Sequence, residues 1–236
     1  MTRLGLFGRG RLGTLIAAQG GERIAWQLGR GGIPPGPVEL AIDVSAAEAV
    51  EAHLAWALES GTDLVIGATG WEIGDLEARV GRRIGVLVAP NFSLSVALMA
   101  RFATVLARYA ALEEGRDLFV LEHHHRLKAD APSGTARRLA AALMQGDPRK
   151  KEWTLGPAAP HQLSLGVLRA GHEPGLHTVG MDAPSETLEL THRARSRQLF
   201  ADGALRAADW LRGRKGVFQM DDLAKELLDP LFHFGA

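Results

Sequence analysis

A glycine-rich loop near the start of the chain has the spacing of a dinucleotide-binding turn. Residues 8–13 are GRGRLG, which matches G-x-G-x-x-G, and they follow the apolar run Leu4–Phe7 and open a stretch with helical spacing. Glycines allow a tight turn and let a pyrophosphate approach the backbone, where the N–H groups and the dipole of the helix start stabilise its charge. The loop therefore predicts cofactor-binding residues at Gly8, Gly10, Arg11, Leu12 and Gly13.

The stretch that would select between NAD and NADP carries Arg30 as its one charged residue. Residues 27–38 are QLGRGGIPPGPV, without the acidic residue that normally accepts the ribose hydroxyl of NAD. A guanidinium suits the 2′-phosphate of NADP. We therefore predict NADPH as cofactor and leave NADH open, the alternative for Arg30 being a solvated loop residue.

Two further loops follow apolar runs that predict strands. Residues 67–70 are GATG after the run 64–66, and residues 89–92 are APNF after the run 84–88. Ligands of open α/β sheets bind beyond the carboxyl ends of the strands. These loops are therefore predicted to hold ribose and nicotinamide, although either is also compatible with an ordinary loop: Gly67, Ala68, Thr69, Ala89, Pro90, Asn91 and Phe92.

The densest group of titratable residues lies in the middle of the chain, where residues 122–136 are EHHHRLKADAPSGTA. Ser133 is a suitable N-cap, and the N–H groups of Gly134 and Thr135 at a helix start would bind a carboxylate. Lys128 and either His124 or His125 would supply positive charge and a proton to the same substrate. This segment predicts a site for a small carboxylic acid.

The adjacent histidines also raise the possibility of zinc. Successive side chains on a strand point to opposite faces, so at most His123 and His125 share one, and no helical HxxxH pair or cysteine pair completes a site. We predict no metal. The structural alternative, a polar strand edge beside a capped helix, explains Ser133 but not the clustering of histidine, arginine and lysine.

The elements around these residues predict an α/β fold. Short apolar runs alternate with amphipathic stretches up to about Asn91, which is typical of a Rossmann-type domain with a parallel sheet. A long helix follows, with an apolar row, and the later β-like segments 163–169, 176–182 and 187–192 predict a second α+β domain with a mixed or antiparallel sheet. The row on the long helix is Leu98, Phe102, Val105, Leu106, Tyr109 and Leu112.

Composition narrows the class of protein. The 236 residues include 27 Lys+Arg and 27 Asp+Glu, so no net field favours nucleic acid or an anionic membrane as partner. Cysteine is absent, which fits a reducing compartment. The start of the chain lacks signal-peptide features and no segment is apolar enough to span a bilayer, so we expect a soluble cytoplasmic protein.

The mid-chain segment strongly resembles the signature of the 4-hydroxy-tetrahydrodipicolinate reductase (dihydrodipicolinate reductase) family, E-x-H-H-x-x-K-x-D-A-P-S-G-T-A. Further similarity covers most of the chain, including 43–45 DVS, 169–171 RAG, 175–177 GLH and 216–222 GVFQMDD. Departures are a shorter glycine loop, Leu127 where many members have histidine, and Ala68 in place of a threonine. The departures affect the expected adenosine contacts rather than Lys128.

The resemblance implies a function and a division of labour. Residues 1–92 and 196–236 would bind the dinucleotide, and residues 93–195 would bind the substrate and build a homotetramer through their sheet. His124 and Lys128 would be the catalytic pair, with Lys128 as proton donor. His125, Ser133, Gly134 and Thr135 would bind substrate carboxylates. The reaction would remove water from 4-hydroxy-tetrahydrodipicolinate and reduce the product to tetrahydrodipicolinate, in the diaminopimelate route to lysine.

Two other functions are compatible with parts of the pattern. Another two-domain NAD(P)-dependent oxidoreductase, similar to aspartate dehydrogenase, would share the fold and differ in substrate. A nucleotide-sensing or scaffold protein would keep the Rossmann-type domain without catalysis, but the retained Lys128, His124 and 133–135 argue against it.

Overall fold

The structure is a computed structural model, and it describes residues 2–233. Contacts between Cα atoms divide the chain into two compact units. Unit 1 runs to Ser93 and resumes at Arg197, and unit 2 is Leu94–Ser196. The predicted fold class, a Rossmann-type domain with a second α+β domain, is confirmed.

Both units are built from short strands and amphipathic helices. The strands are β1 Leu4–Phe7, β2 Ile24–Leu28, β3 Leu40–Asp43, β4 Asp63–Ile66, β5 Gly85–Val88, β6 Asp117–His124, β7 Glu152–Leu155, β8 Gln162–Arg169, β9 Leu176–Ala183, β10 Glu186–Arg193 and β11 Gly216–Gln219. The helices are α1 Arg11–Gly20, α2 Ala47–Ser60, α3 Leu76–Val80, α4 Leu94–Ala110, α5 Gly134–Gly146, α6 Gln198–Leu211 and α7 Met220–Leu228.

Unit 1 contains a parallel sheet in the order β11-β5-β4-β3-β1-β2. Every residue of β1, β3 and β4 is buried, which is expected when helices cover both faces of a parallel sheet. β2 lies on one side of β1 and β3 lies on the other, so the direction in which the chain adds strands to the sheet changes at β1. In open α/β sheets this switch point, at the carboxyl ends of the strands, is where ligands bind.

Unit 2 contains a mixed sheet in the order β10-β9-β6-β8-β7. β6 runs parallel to β8 and antiparallel to β9. One face packs against α4 and α5, with Leu118, Val120 and Val179 in the shared core. On the other face Leu121 and Leu168 remain 45% and 52% exposed. The sheet thus has one covered and one largely open face.

Most of the apolar row predicted on the long helix lies outside the core, and of its members Leu106 packs against the core. Phe102, Val105 and Tyr109 are exposed, whereas the buried face of α4 is rich in alanine, including Ala103 and Ala107. The reason is close packing of α4 on α5: a Cβ added at Gly146 would lie 2.6 Å from the Cβ of Ala107. Small side chains face inward because larger ones would separate the two helices.

Some short elements were not predicted. These are α3, β7 and β11, and β11 joins the first sheet beside β5. Each is four or five residues long, too short to show a helical or strand period clearly. Within residues 2–233, none of the helices has the length and apolar character needed to cross a membrane.

Candidate active site

Two titratable side chains extend the inward-facing row of β6. Leu118, Val120, Glu122 and His124 alternate along the strand, and all four are buried. Alternation places His123 on the other face, where its Nε2 lies 3.0 Å from the carbonyl oxygen of Ala170. A strand that is apolar at its start therefore becomes ionisable at its carboxyl end.

Neighbouring strands add two more ionisable groups to this end of the sheet. His177 of β9 pairs with Glu122, and Arg169 of β8 pairs with His124. Since paired residues share a face of the sheet, the four side chains converge. The rings of His124 and His177 meet edge to face, with centroids 4.9 Å apart.

The carboxylate of Glu122 is the centre of the cluster. Its Oε1 accepts hydrogen bonds from the Ser133 backbone N–H, at 2.9 Å, and from Arg169 Nη2, at 2.7 Å. Its Oε2 lies 3.5 Å from His177 Nε2 and 3.4 Å from His124 Nδ1. Burial alone would raise the pKa of Glu122, but hydrogen bonds from His177, Ser133 and Arg169 outweigh it and hold the pKa well below the usual range. Glu122 is therefore a buried anion.

His124 is neutral near pH 7. Burial, followed by electrostatic repulsion from His177, lowers the pKa of His124 to about 4, and the charge of Glu122 only partly opposes this. Gly175 gives the ring its space, because a Cβ there would lie 3.1 Å from His124 Nε2. A neutral imidazole can orient or polarise a substrate but supplies no excess proton near pH 7.

Lys128 lies in the loop after β6 and is partly exposed. Its Nζ donates to Asp130 Oδ1 at 2.6 Å, and hydrogen bonding to Lys128 helps to lower the pKa of Asp130 against the opposing effect of burial. Arg169 also donates to the carbonyl oxygen of Asp130, at 2.6 Å. The loop that carries Lys128 is thus fastened by Arg169 to the Glu122 cluster.

The start of α5 has the geometry expected from the sequence. Ser133 is the N-cap, and its Oγ accepts from the Ala136 N–H at 3.1 Å and lies 3.2 Å from His177 Nε2. Gly134 is exposed, with open space where a Cβ would be, and Thr135 and His125 are half-buried. The N–H and hydroxyl of Ser133 are engaged within the protein, so Gly134 presents the accessible part of this helix start.

The three glycines of the unit 1 loop, Gly8, Gly10 and Gly13, have different structural roles. Gly8 has a φ of 120°, and a Cβ there would lie 2.7 Å from the carbonyl oxygen of Val44. A Cβ at Gly13 would lie 2.2 Å from the carbonyl oxygen of Gly8, whereas one at Gly10 would meet nothing within 4 Å. Turn, open space and close helix packing are the three roles of these glycines in dinucleotide sites.

The start of α1 is also open to an anion. Gly10 is the N-cap without a side-chain cap, the first turn holds no acidic residue, and Arg11 is exposed while Leu12 is half-buried. A phosphate at this end would be stabilised by the helix dipole. The residues present therefore fit a dinucleotide.

The other predicted cofactor residues lie at the ends of β4 and β5. Ala68, Ala89 and Phe92 are buried, and the ring of Phe92 packs on Gly67, where a Cβ would lie 2.4 Å from it. The N–H groups of Gly67 and Ala68 donate to the carbonyl oxygen of Asp43. In these loops Thr69 and Pro90 are exposed, and Asn91 is half-buried.

Arg30 lies beyond the end of β2. Its side chain is 91% exposed, and its Nη2 lies 3.7 Å from Glu48 Oε1. A second guanidinium at this strand end was not predicted: Arg9 Nη2 donates to the carbonyl oxygen of Gln27 at 3.0 Å. Arg9 also passes beside Gly29, where an added Cβ would lie 3.5 Å from its side chain. The position of Arg9 inside the glycine motif is the sequence feature that could have identified it as a cofactor-binding residue.

Glu122, Arg169 and His177 were likewise not predicted as site residues, although all three lie in segments that carry the family resemblance. Glu122, Arg169 and His177 are far apart in the sequence, so no local pattern connects them. In the structure, one potential ligand atom from each of Glu122, His124 and His177 lies within 4.8 Å of the other two. Such a donor set has the composition of a metal site. The prediction of no metal considered neighbouring histidines and omitted His177.

Family models match most of the chain. Residues 35–92 match the N-terminal part of dihydrodipicolinate reductase and residues 95–224 match its C-terminal part. The glycine loop and Arg30 lie before the matched ranges. The chain is 39% identical to the 4-hydroxy-tetrahydrodipicolinate reductase of Laribacter hongkongensis over 192 residues, covering 77% of this chain and 71% of that one. It is 37% identical to that of Magnetococcus marinus over 229 residues, covering 89% and 84%.

A solved structure shows the same fold. The dipicolinate-bound dihydrodipicolinate reductase of Paenisporosarcina sp. TG-14 superposes with a TM-score of 0.72 at 23% identity, over 93% of this chain and 97% of that one. Together with the two matched ranges, which cover residues on both sides of the division at Ser93, these similarities decide the family. The chain belongs to the dihydrodipicolinate reductase family.

Proposed function

We propose that this chain reduces 4-hydroxy-tetrahydrodipicolinate to tetrahydrodipicolinate with NADPH, as a step of lysine biosynthesis through diaminopimelate. The observation that carries the proposal is the family match over residues 35–92 and 95–224. The arrangement of Lys128 and the helix start at Gly134 in unit 2 supports it.

The substrate is a diacid, and unit 2 offers donors for its carboxylates. The accessible start of α5 at Gly134 and Thr135 would bind one carboxylate through N–H groups and the helix dipole. His125 would contribute to the same site, and Ser133 would hold the helix start in place through its cap. Fixing both ends of a small ring limits its orientations, which accelerates the subsequent transfer.

Lys128 is the proposed proton donor. Loss of the 4-hydroxyl group as water leaves a conjugated imine, and addition of a hydride then places electron density on the ring that a proton must neutralise. The Lys128 ammonium can supply that proton, since its pair with the partly exposed Asp130 is open to exchange. His124, being neutral, would orient the substrate beside it.

Residues 8–13 would hold the dinucleotide, which when bound supplies the hydride. Gly10 leaves room for the pyrophosphate, and α1 directs its N-terminus toward it. Thr69, Pro90 and Asn91 would contact the ribose and nicotinamide at the ends of β4 and β5. Arg30, joined by Arg9, would favour NADPH over NADH.

A homotetramer and a cytoplasmic location complete the proposal. The open face of the unit 2 sheet carries Leu121 and Leu168, apolar side chains that a second copy would cover. The cytoplasm is where reduced nicotinamide cofactors are regenerated, and it suits a chain without cysteine. Sedimentation of the purified protein would test the tetramer.

The decisive experiment is a coupled assay. Purified protein is mixed with NADPH and with substrate generated in situ by the preceding synthase, and loss of NADPH absorbance is followed. Oxidation of NADPH that requires both the synthase and this protein is expected. Oxidation of NADPH with oxaloacetate plus ammonia, or reduction of NADP+ with L-aspartate, and no oxidation with the synthase product, would contradict the proposal.

A further inference from the structure

The buried carboxylate of Glu122 stands directly behind the helix start that is proposed to bind the substrate diacid. Its Oε1 accepts from the Ser133 N–H at 2.9 Å, so it fixes the residue that precedes Gly134. Arg169 donates to the same oxygen and to the carbonyl oxygen of Asp130, which fastens the Lys128 loop. One carboxylate thereby links the two segments that carry the proposed anion and proton donors.

We propose that Glu122 is a positioning residue that holds the start of α5 and the Lys128 loop in the geometry that binds a diacid. The inference rests on the proposed function, because it concerns how that substrate is held. Glu122 contacts Ser133 and Arg169 rather than the space above Gly134, and it acts through them.

The charge of Glu122 alone does not explain its place. A carboxylate behind an anion site repels the incoming diacid, and the Arg169 guanidinium paired with it reduces this repulsion. A residue kept for its charge would thus work against substrate binding. The length of the side chain, which lets Oε1 reach the Ser133 N–H from β6, is the property that the geometry uses.

The same atoms also resemble a metal-binding set, and the hydrogen bonds favour the metal-free arrangement. Glu122 Oε1 already accepts two hydrogen bonds, and His177 Nε2 lies 3.2 Å from Ser133 Oγ as well as 3.5 Å from Glu122 Oε2. An Nε2–H on His177 can donate to either of these oxygens. These contacts engage Glu122 Oε1 and His177 Nε2, whereas Glu122 Oε2, His124 Nδ1 and His177 Nδ1 have no hydrogen-bond partner among the described residues, and metal analysis is therefore part of the test.

Two substitutions separate length from charge. Glu122→Asp keeps the charge and withdraws the acceptor, whereas Glu122→Gln removes the charge and keeps an oxygen within reach of Ser133. For Glu122→Asp, the KM for the substrate and the Kd for dipicolinate, used as an unreactive diacid probe, should both rise about tenfold. For Glu122→Gln both should change by less than about threefold. Glu59→Asp, at an exposed position of α2, is the matched control and should equal the wild type.

The outcomes are distinct. A Glu122→Asp protein that matches the wild type, or a Glu122→Gln protein that is the more impaired of the two, would overturn the inference while leaving the proposed function intact. A wild type that neither reduces the substrate nor binds dipicolinate would overturn both. NADPH affinity, measured on each variant, should stay near the wild-type value, and thermal unfolding should show that each variant remains folded at the assay temperature even where the altered buried cluster lowers its Tm.

Two measurements on the wild type need no variant. The Ser133 amide should exchange its hydrogen at least about 100-fold more slowly than that of exposed Gly134, because a buried acceptor protects it. Equal exchange rates would contradict the proposed anchor. Metal analysis should find no stoichiometric zinc, and EDTA should leave activity unchanged. Activity that depends on zinc would overturn the hydrogen-bonded cluster in favour of a metal centre.

Discussion

The two proposed anion sites of this protein differ in what forms them, because one is formed by backbone and the other depends on buried side chains. The glycine loop of unit 1 uses backbone and the absence of side chains, with Gly8, Gly10 and Gly13 each leaving a different space. The helix start of unit 2 depends on buried side chains, with Glu122, Arg169 and His177 packed behind Ser133. Both present the N-terminus of a helix to an anion, and the difference lies in what holds that helix.

This difference affects how each site responds to sequence change. A backbone-built loop needs glycine at a few positions and accepts varied residues between them, whereas a side-chain cluster needs particular hydrogen-bonding groups at particular distances. The family match agrees with this contrast. It includes the whole Glu122 cluster and begins at residue 35, after the glycine loop.

The largest expected effect comes from Lys128, the one proposed group that takes part in proton transfer. Lys128→Ala should lower kcat about 100- to 10,000-fold, because that is the usual contribution of a general acid. NADPH affinity and stability should stay unchanged, since Asp130 is partly exposed and tolerates the loss of its partner. Steady-state kinetics with Lys151→Ala, an exposed lysine of unit 2, as control would test this. A Lys128→Ala protein with wild-type kcat would remove the proposed role.

The glycine loop predicts two different failures from the same substitution. Gly10→Ala fills the space proposed for the pyrophosphate, so NADPH affinity should fall about tenfold or more while stability changes by less than about 1 kcal/mol. Gly13→Ala places a Cβ 2.2 Å from the carbonyl oxygen of Gly8, and the forced shift should cost about 1–3 kcal/mol of unfolding free energy.

Titration calorimetry with NADPH and denaturant unfolding separate these two effects. Gly36→Ala, where a Cβ also meets nothing within 4 Å, is the control for adding a methyl group to a unit 1 loop. Equal NADPH affinity in Gly10→Ala and the control would mean that the phosphates bind elsewhere. An unaltered stability of Gly13→Ala would show that α1 moves away from β1 without cost.

How far the sequence predicts the molecule follows the same division. The glycine motif and the strands of unit 1 are recognisable because their signals are local: residues a few positions apart determine a turn or a run. Glu122, Arg169 and His177 meet only through the register of β6 with β8 and β9. A pairing register depends on the whole sheet, so no local pattern predicts that these residues converge.

The apolar row on α4 shows a second limit. Periodicity correctly predicts a helix, but Phe102, Val105 and Tyr109 are exposed while alanines face α5. Hydrophobicity identifies an amphipathic helix, whereas the distance between helices decides which face is buried. Gly146 on α5 allows this close approach, and the sequence of α4 alone does not contain that information.

The side-chain cluster should also make unit 2 sensitive to acid. The pKa of His124 is about 4 in the folded protein, against 6.5 for an ordinary histidine, so the unfolded chain takes up the proton first as the pH falls. Stability is therefore lost between pH 6.5 and about 4, on the order of 2 kcal/mol by pH 4.5. Glu122, whose pKa is lowered, adds a further loss at lower pH.

Denaturant unfolding at several pH values checks this dependence. His124→Asn should flatten the change between pH 7 and 4.5, and His161→Asn, at an exposed position, should leave it as in the wild type. The same slope in the wild type and in His124→Asn would mean that other groups dominate acid unfolding. Since Glu122, His124 and His177 all lie in unit 2, the effect should belong to that unit.

The smallest expected effect concerns the choice between NADPH and NADH. Backbone N–H groups of the glycine loop contact a pyrophosphate that both cofactors share, so discrimination must come from side chains at the end of β2. Arg30 is 91% exposed and pairs with Glu48 at 3.7 Å, a contact worth about 0–1 kcal/mol that a 2′-phosphate would readily replace. Arg30→Ala and Arg9→Ala should each lower the ratio of kcat/KM for NADPH over NADH about three- to tenfold.

The control is Arg82→Ala, at an exposed position in another loop of unit 1, which should keep the wild-type ratio. The preference should also weaken as salt rises, because an exposed guanidinium–phosphate contact is screened over about 8–10 Å at physiological ionic strength. A ratio that neither substitution changes would place discrimination outside both arginines. A loop built from glycine would then owe its cofactor preference to residues that lie elsewhere in unit 1.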